Sequence, residues 1–178
     1  MYKILFDNSG SMSELGKEQL LINTLRFSRQ YTEFNNTSQA VSYYQLNASI
    51  DEIKLEHNKD IVLSNPGGRA SGEVVSEWFM SNENMPVLWI TDGYTQFSEQ
   101  QIFTLSDKKN IIILALGCDA DTEQLKRFKS PIFFVHNIEA ALAQFFVAKS
   151  NHSMLPTTVT ESGDLDSFVI EESGDDEW

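Results

Sequence analysis

Short, unbroken runs of apolar residues alternate along this chain with longer segments of helical periodicity. The clearest runs, in chain order, lie at 4–6, 86–91, 111–116 and 132–135. These runs do not alternate with polar residues, as the residues of a strand with one exposed face would. Strands of this kind are buried on both faces, which is typical of parallel sheets covered by helices. The pattern predicts an α/β fold with a doubly wound, mostly parallel sheet and helices on both faces.

The remaining elements follow from apolar periodicity and turn signals. Helical spacing predicts helices over 14–34, 72–80, 122–128 and 138–148, with a shorter helix within 97–105. The segments 40–46 and 50–55 are separated by only a few residues and predict a hairpin. Its second strand would be the one antiparallel edge strand of the sheet.

Acidic residues are concentrated at the end of the chain. The formal net charge is −13, and residues 151–178 contain eight acidic side chains with no Lys or Arg. This segment is rich in Ser, Thr and Gly, so its composition predicts a disordered tail that follows one folded domain of residues 1–150. A purely solubilising tail and a short docking peptide at 164–171 are both consistent with this composition.

The composition also excludes several classes of partner. With 13 Lys and Arg against 26 Asp and Glu, the chain lacks the basic surface that nucleic acids and anionic membranes require. No segment is long and apolar enough to span a membrane, and no signal peptide is recognisable. The single cysteine, Cys118, cannot form a disulfide within the chain. We therefore expect a cytoplasmic protein.

Oxygen-bearing side chains follow the first two apolar runs. Asp7, Ser9 and Ser11 follow the first run in the segment DNSGSM, and Asp92 follows the second run. If these two strands are neighbours, the four side chains meet at the carboxyl edge of the sheet, where such sheets bind ligands. Carboxylates and hydroxyls are hard oxygen ligands that suit Mg²⁺, with Mn²⁺ or Ca²⁺ as alternatives. Helix capping would explain one of these residues but not all four.

Two further aspartates follow the run at 111–116, in the segment GCDAD. Asp119 and Asp121 could face the same crevice, or they could be a solvated loop residue and the cap of the next helix. The second arrangement is the commoner one and is expected here.

The segment DNSGSM fits the pattern D-x-S-x-S, and the triplet Thr91-Asp92-Gly93 ends a later buried strand. Together these two motifs resemble the signatures of von Willebrand factor A (vWA) domains. The resemblance covers residues 1–150 and implies the Rossmann-like vWA fold with a metal-ion-dependent adhesion site (MIDAS). It implies that Ser9 and Ser11 contact the metal directly, and that Asp7 and Asp92 act directly or through bound water.

The fifth ligand of the family is usually a threonine, two residues after a glycine in the loop before a helix. In the matching segment Gly68-Arg69-Ala70-Ser71 this position is Ala70, which has no side-chain oxygen. We expect a shift of the loop to bring Ser71 to the metal, since loops tolerate such shifts. The alternative is a site with one ligand fewer. Arg69 is less suitable because a cation opposes metal binding.

The sequence offers no arrangement typical of a hydrolase. A haloacid-type phosphatase needs a second aspartate at the position of Ser9, and the chain has no Gly-rich phosphate loop. The resemblance instead implies a non-enzymatic adaptor, in which an acidic residue of a protein partner completes the coordination of the metal. Small intracellular members of the family often serve AAA+ ATPases of the MoxR type, and some belong to bacterial conflict (defence) systems. The alternative function is a metal-independent scaffold within a multiprotein complex.

Overall fold

The computed structural model describes residues 1–14, 16–35, 40–56 and 59–147. Within these residues, helices pack on both faces of a six-stranded sheet. The strands are β1 (Tyr2–Asp7), β2 (Val41–Leu46), β3 (Ile50–Ile53), β4 (Val87–Thr91), β5 (Ile111–Ala115) and β6 (Ile132–Phe134). The helices are α1 (Lys17–Phe34), α2 (Gly72–Ser81), α3 (Glu99–Ser106), α4 (Thr122–Lys126) and α5 (Ile138–Val147).

The strand order is β3-β2-β1-β4-β5-β6, and every pair is parallel except β2 with β3 at the edge. This topology confirms the predicted doubly wound, mostly parallel sheet with one antiparallel edge strand. The strand order reverses at β1 and β4, which pair in register from Lys3–Val87 to Phe6–Ile90. In open α/β sheets, ligands bind in the crevice at such a reversal, beyond the carboxyl ends of the strands.

Alternate residues of the central strands pack into two separate cores, one on each face of the sheet. Ile4, Phe6 and Ile90 belong to the core that includes α1 and α5. Leu5 and Trp89 belong to the core that includes α2, α3 and α4. Because both faces of these strands are covered, their sequences are continuously apolar, which is the feature that made the fold class predictable.

Aromatic rings form the centre of the second core. Trp89 on β4 contacts Phe79, Phe97 and Phe128, whose ring centroids lie 5.6, 5.9 and 5.5 Å away. All three contacts are edge-to-face, the geometry that adds a favourable electrostatic contribution to burial. These contacts fix β4, and therefore the aspartate that follows it, against the helices on this face.

The first helix starts later than the sequence predicts. It begins at Lys17 rather than Glu14, because Gly10–Ser13 forms a 3₁₀ segment and Gly16 precedes the helix with a φ of 75°. A positive φ of this size favours glycine, so the chain changes direction here before the α-helix begins. The other predicted strands and helices are confirmed to within two residues at each end, as far as the described residues extend.

The predicted acidic tail, residues 151–178, lies outside the described residues, as does the domain boundary placed at residue 150. The division into domain and tail therefore stays a prediction. Over the part of the chain that the structure covers, every helix is too short or too polar to cross a bilayer.

The packing of the aromatic core can be tested by measuring the free energy of unfolding. Phe128 is 1% exposed and packs against Trp89 and Phe97, so Phe128→Ala should lower the free energy of unfolding by about 3–5 kcal/mol. Urea denaturation of the full chain measures this. Phe103→Ala is the matched control, because Phe103 on α3 is 70% exposed and its loss should change stability by about 0.5 kcal/mol or less. Equal losses in the two variants would contradict the packing described.

Candidate metal centre

Two buried aspartates lie at the carboxyl ends of neighbouring strands. Asp7 ends β1, Asp92 directly follows β4, and both side chains are fully buried. Asp7 Oδ1 accepts a hydrogen bond from the Ser9 N–H at 2.9 Å, and its Oδ2 accepts one from Thr91 Oγ1 at 3.1 Å. Asp92 Oδ1 accepts a hydrogen bond from the Tyr94 N–H at 3.2 Å. Hydrogen bonds from the following loops and from the neighbouring strand thus fix both carboxylates in the crevice that the topology predicts.

Burial raises the pKa of Asp7 above its usual value. The hydrogen bonds from Ser9 and Thr91 act in the opposite direction, and the nearby negative charge of Asp92 adds to the increase. Ionised Asp7 therefore costs stability in the metal-free protein. This cost grows as the pH rises from the pKa of the unfolded chain to the raised pKa of the folded state, and it is constant above that. A cation beside Asp7 would offset the cost.

A small cavity of about 130 Å³ lies beside the two serines of the DNSGSM segment. Ser9 is buried and Ser11 is half-buried, and their Oγ atoms are 3.4 Å apart. The cavity is lined by Ser9, Gly10, Ser11, Gly68, Arg69, Ala70, Tyr94 and Thr95. A hydrogen bond of 3.1 Å from the Gly10 N–H to Gly68 O joins two of the three loops that line the cavity. The structure thus brings together Asp7, Ser9, Ser11 and Asp92 from two strand ends.

Ser71, the predicted fifth ligand, is not among the residues that line this cavity. It is the N-cap of α2, where its Oγ accepts a hydrogen bond of 3.2 Å from the Glu73 N–H. Its backbone pairs with Gln96, and Gly72 permits this approach, because a Cβ atom on Gly72 would lie 2.3 Å from Gln96 O. Ala70, at the position of the family's threonine, lines the cavity. The role of Ser71 as a metal ligand therefore stays a prediction.

A buried cation that no sequence pattern indicated also lies at this site. Lys17 is the first residue of α1, but its side chain is only 1% exposed. Its Nζ lies 3.0 Å from Asp92 Oδ2, 2.7 Å from Asp119 Oδ2 and 5.1 Å from the centre of the Tyr94 ring. Burial acts to lower the pKa of Lys17, but the hydrogen bonds to Asp119 and Asp92 outweigh burial and raise it. Lys17 therefore stays charged and balances part of the negative charge of the site.

Asp119 and Asp121 have separate roles after β5. Asp121 caps α4 as expected, since its carboxylate accepts a hydrogen bond from the Gln124 N–H. Asp119 forms an ion pair with Lys17 at the edge of the crevice, and the hydrogen bond from Lys17 lowers the pKa of Asp119. Gly117 leaves room for this ion pair, because a Cβ atom there would lie 2.8 Å from Asp119 Oδ1 and 3.1 Å from Lys17 Cε. The sequence predicted a solvated loop residue at position 119, whereas in the structure Asp119 forms an ion pair with Lys17 at the edge of the site.

The donors at this site suit a hard divalent cation better than zinc. Among the described residues, no group of three or more His, Cys, Asp or Glu side chains is placed to hold a metal. A metal beside Asp7 would therefore need hydroxyl ligands, and the cavity offers Ser9 and Ser11. Carboxylate and hydroxyl oxygens are the donors that Mg²⁺, Mn²⁺ and Ca²⁺ prefer. The residues present fit such an ion.

Comparison with known proteins identifies the fold. No protein-family model matches the chain, and no curated protein matches it by sequence. Among solved structures, the manganese-loaded TRAP protein of Plasmodium vivax is similar with a TM-score of 0.56 and 11% identity, over 81% of this chain and 72% of that chain. Proximal thread matrix protein 1 of the mussel byssus, solved with a zinc-occupied MIDAS motif, has a TM-score of 0.53 and 11% identity, over 81% and 46% of the two chains.

A von Willebrand factor type A protein from Catenulispora acidiphila is also similar, with a TM-score of 0.50 and 10% identity over 84% of this chain and 41% of that chain. This chain thus spans less than half the length of the matrix protein and of the bacterial protein. At such low identity the similarity concerns the fold. The fold of the described residues is that of a vWA domain, which confirms the fold that the sequence motifs implied.

Whether Lys17 balances the charge of Asp92 can be tested by measuring the free energy of unfolding. Lys17→Met removes the ammonium group, keeps much of the unbranched stem and leaves Asp92 buried without its cationic partner. We expect a loss of about 3–5 kcal/mol in the free energy of unfolding, measured by urea denaturation in EDTA at neutral pH. Lys126→Met is the matched control, because the ion pair of Lys126 with Glu123 is exposed and should contribute about 0.5 kcal/mol or less. A Lys17→Met variant as stable as the wild type would show that the ion pair does not balance Asp92.

Proposed function

We propose that this chain is a metal-dependent protein-binding module that recruits a partner through a divalent cation held by Asp7, Ser9, Ser11 and Asp92. The observation that carries the proposal is the convergence of two fully buried carboxylates, from β1 and β4, beside a cavity lined by two serine hydroxyls. Buried carboxylates of like charge need cations nearby, and Lys17 supplies only one positive charge. Mg²⁺ is the first candidate, with Mn²⁺ and Ca²⁺ as alternatives, because the donors are oxygens.

The similar structures support a divalent cation in general. The TRAP structure is loaded with manganese, and the matrix protein of the byssus holds zinc in its MIDAS motif. These ions differ from one another, so the choice of Mg²⁺ for this chain rests on its own donors. Ser71 is the fifth ligand that the resemblance implies, although its hydroxyl already caps α2.

An acidic residue of the partner would complete the coordination of the cation. Arg69 is exposed and lines the cavity beside Ser9 and Ser11. An arginine opposes a metal alone but favours a carboxylate that contacts metal and guanidinium together, because charge-assisted hydrogen bonds to a carboxylate are strong. The rim of the cavity is therefore complementary to an acidic side chain, even though the chain as a whole is acidic.

Within this proposal the chain is a cytoplasmic, non-enzymatic adaptor. The vWA resemblance suggests an AAA+ ATPase of the MoxR type, or a component of a bacterial conflict system, as the first partners to test. No particular residue of this chain selects either partner. Neither nucleic acid nor a membrane surface suits the net charge of −13.

One observation favours a second candidate, a metal-independent scaffold. The Lys17 ammonium already contacts Asp92, so part of the charge of the site is balanced without a metal. Asp7 has hydrogen-bond partners but no cation of its own among the described residues, which is why we prefer the metal-dependent function. The two candidates differ in one property, since a scaffold would bind its partner equally well with and without a chelator.

The metal can be tested with Asp7→Asn. We expect Mg²⁺ and Mn²⁺ to raise the thermal midpoint of the wild type and to leave that of the variant unchanged. The new amide can accept the Ser9 N–H and donate to Thr91 Oγ1, so the fold should survive and be at least as stable in EDTA, where a buried charge has been removed. Calorimetric titration gives the affinity directly.

Asp60→Asn is the matched control for this test, because Asp60 is 87% exposed and should leave the metal response intact. Equal responses of the wild type and Asp7→Asn would contradict a metal at Asp7. Unfolding of Asp7→Asn in EDTA would show that the carboxylate is structural.

The partner can be tested by capture on the tagged full chain, with Mg²⁺ or with EDTA. A partner recruited through the metal should be lost in EDTA and with Asp7→Asn, and Arg69→Gln should weaken its binding about tenfold in Mg²⁺. Arg26→Gln is the matched control, since Arg26 lies away from the cavity and pairs with exposed Asp60. Capture that is unchanged by EDTA and by Asp7→Asn would favour the scaffold instead.

A further inference from the structure

A buried hydroxyl at the candidate metal centre lacks a hydrogen-bond partner. Thr95 is 4% exposed, and its Oγ1 makes no hydrogen bond with any described residue. Among the described side chains that have a buried polar atom without a partner, Thr95 is the one that lines the cavity of Ser9 and Ser11. Native proteins leave few buried polar groups unsatisfied, because each one loses its hydrogen bonds to water on folding. A ligand in the cavity would explain this hydroxyl.

The loop that carries Thr95 is held by contacts that do not use this hydroxyl. The Tyr94 N–H donates to Asp92 Oδ1, and Tyr94 OH donates to Asp119 O at 2.9 Å. The carbonyl oxygen of Thr95 accepts a hydrogen bond of 3.4 Å from Gln124 Nε2. The hydroxyl is therefore positioned beside the serines without being needed to fold the loop.

The loop before α2, which also lines the cavity, does not supply the expected oxygen. Its lining residues Gly68, Arg69 and Ala70 have no side-chain oxygen, and the Ser71 hydroxyl accepts a hydrogen bond at the start of α2. Thr95 offers a hydroxyl of the same chemistry as the threonine that the loop before α2 lacks. Thr95 belongs to a different loop, the one that follows Asp92.

We propose that Thr95 Oγ1 is a ligand of the bound cation, together with Ser9 and Ser11, and that it replaces the threonine missing at Ala70. This inference rests on the metal-dependent function proposed above. A hydroxyl oxygen can give a lone pair to the cation while its hydrogen donates to a water molecule or to the carboxylate of the partner. The orphan hydroxyl would then be satisfied in the metal-bound protein.

A second cavity offers Thr95 another kind of partner. Thr95 also borders a space lined by Gly93, Tyr94, Gln96, Phe97, Asp121 and Gln124, where a water molecule could satisfy its hydroxyl. In that case, removing the hydroxyl would change stability but not metal affinity. Metal affinity is therefore the measurement that separates the two roles.

The test uses the full chain and Mn²⁺ as the probe, with affinity measured by calorimetric titration. Thr95→Val is nearly isosteric and should weaken Mn²⁺ binding by about tenfold or more, the range expected when a metal site loses a supporting group. Thr95→Ser retains the hydroxyl and should bind within about threefold of the wild type. Ser71→Ala tests the ligand that the resemblance implies, and its thermal midpoint should fall in any case because the cap of α2 is lost.

The outcomes separate this inference from the proposed function. Wild-type affinity in Thr95→Val overturns the role of Thr95, whether or not Ser71→Ala loses affinity, and leaves the metal-dependent function in place. Loss of affinity in both variants supports Thr95 as a ligand that acts alongside Ser71. Absence of Mn²⁺ binding by the folded wild type overturns the proposed function, and the role of Thr95 with it.

Discussion

The parallel pairing of β1 with β4 is the interaction on which the candidate site depends. The ladder runs to Phe6–Ile90, and the next residues of the two strands are joined through the hydrogen bond from Thr91 to Asp7. The pairing therefore places Asp7 beside Thr91, with Asp92 one residue further along, at the point where the strand order reverses. Because two apolar cores cover the strands on both faces, the carboxylates are withdrawn from water, and their charges must be balanced locally.

The balance of charge connects this architecture to the proposed function. A lysine in the first turn of a helix is disfavoured by the helix dipole, and Lys17 is stable there because it contacts Asp92 and Asp119. Lys17 balances part of the negative charge of Asp92, and a bound metal would balance the charge of Asp7 and the remainder of that of Asp92. Because several of the proposed ligands are neutral hydroxyls, the bound ion would keep more of its positive charge than in a site made only of carboxylates. Such an ion attracts the carboxylate of a partner, which a fully neutralised ion would not.

The fold could be predicted from the sequence because strands buried on both faces are continuously apolar. Asp7, Ser9 and Ser11 form a motif of fixed spacing and Asp92 follows a later buried strand, so their placement at one edge of the sheet could be predicted, whereas their role as metal ligands stays a prediction. Lys17 carried no such signal, since a lysine near the start of a helix is normally exposed and its partners are distant in sequence. Thr95 looked like an ordinary loop residue, because the lack of a partner for its hydroxyl is a property of the packed structure.

The most direct test of the metal centre is a crystal structure of the full chain with Mn²⁺, with anomalous scattering used to locate the ion. We expect one strong peak in the cavity at the ends of β1 and β4, with the Ser9 and Ser11 oxygens about 2.0–2.5 Å from the ion. We also expect Lys17 to remain in contact with Asp119. A cavity without an anomalous peak at saturating Mn²⁺, with the wild-type fold intact, would contradict the central claim that these residues hold a divalent cation.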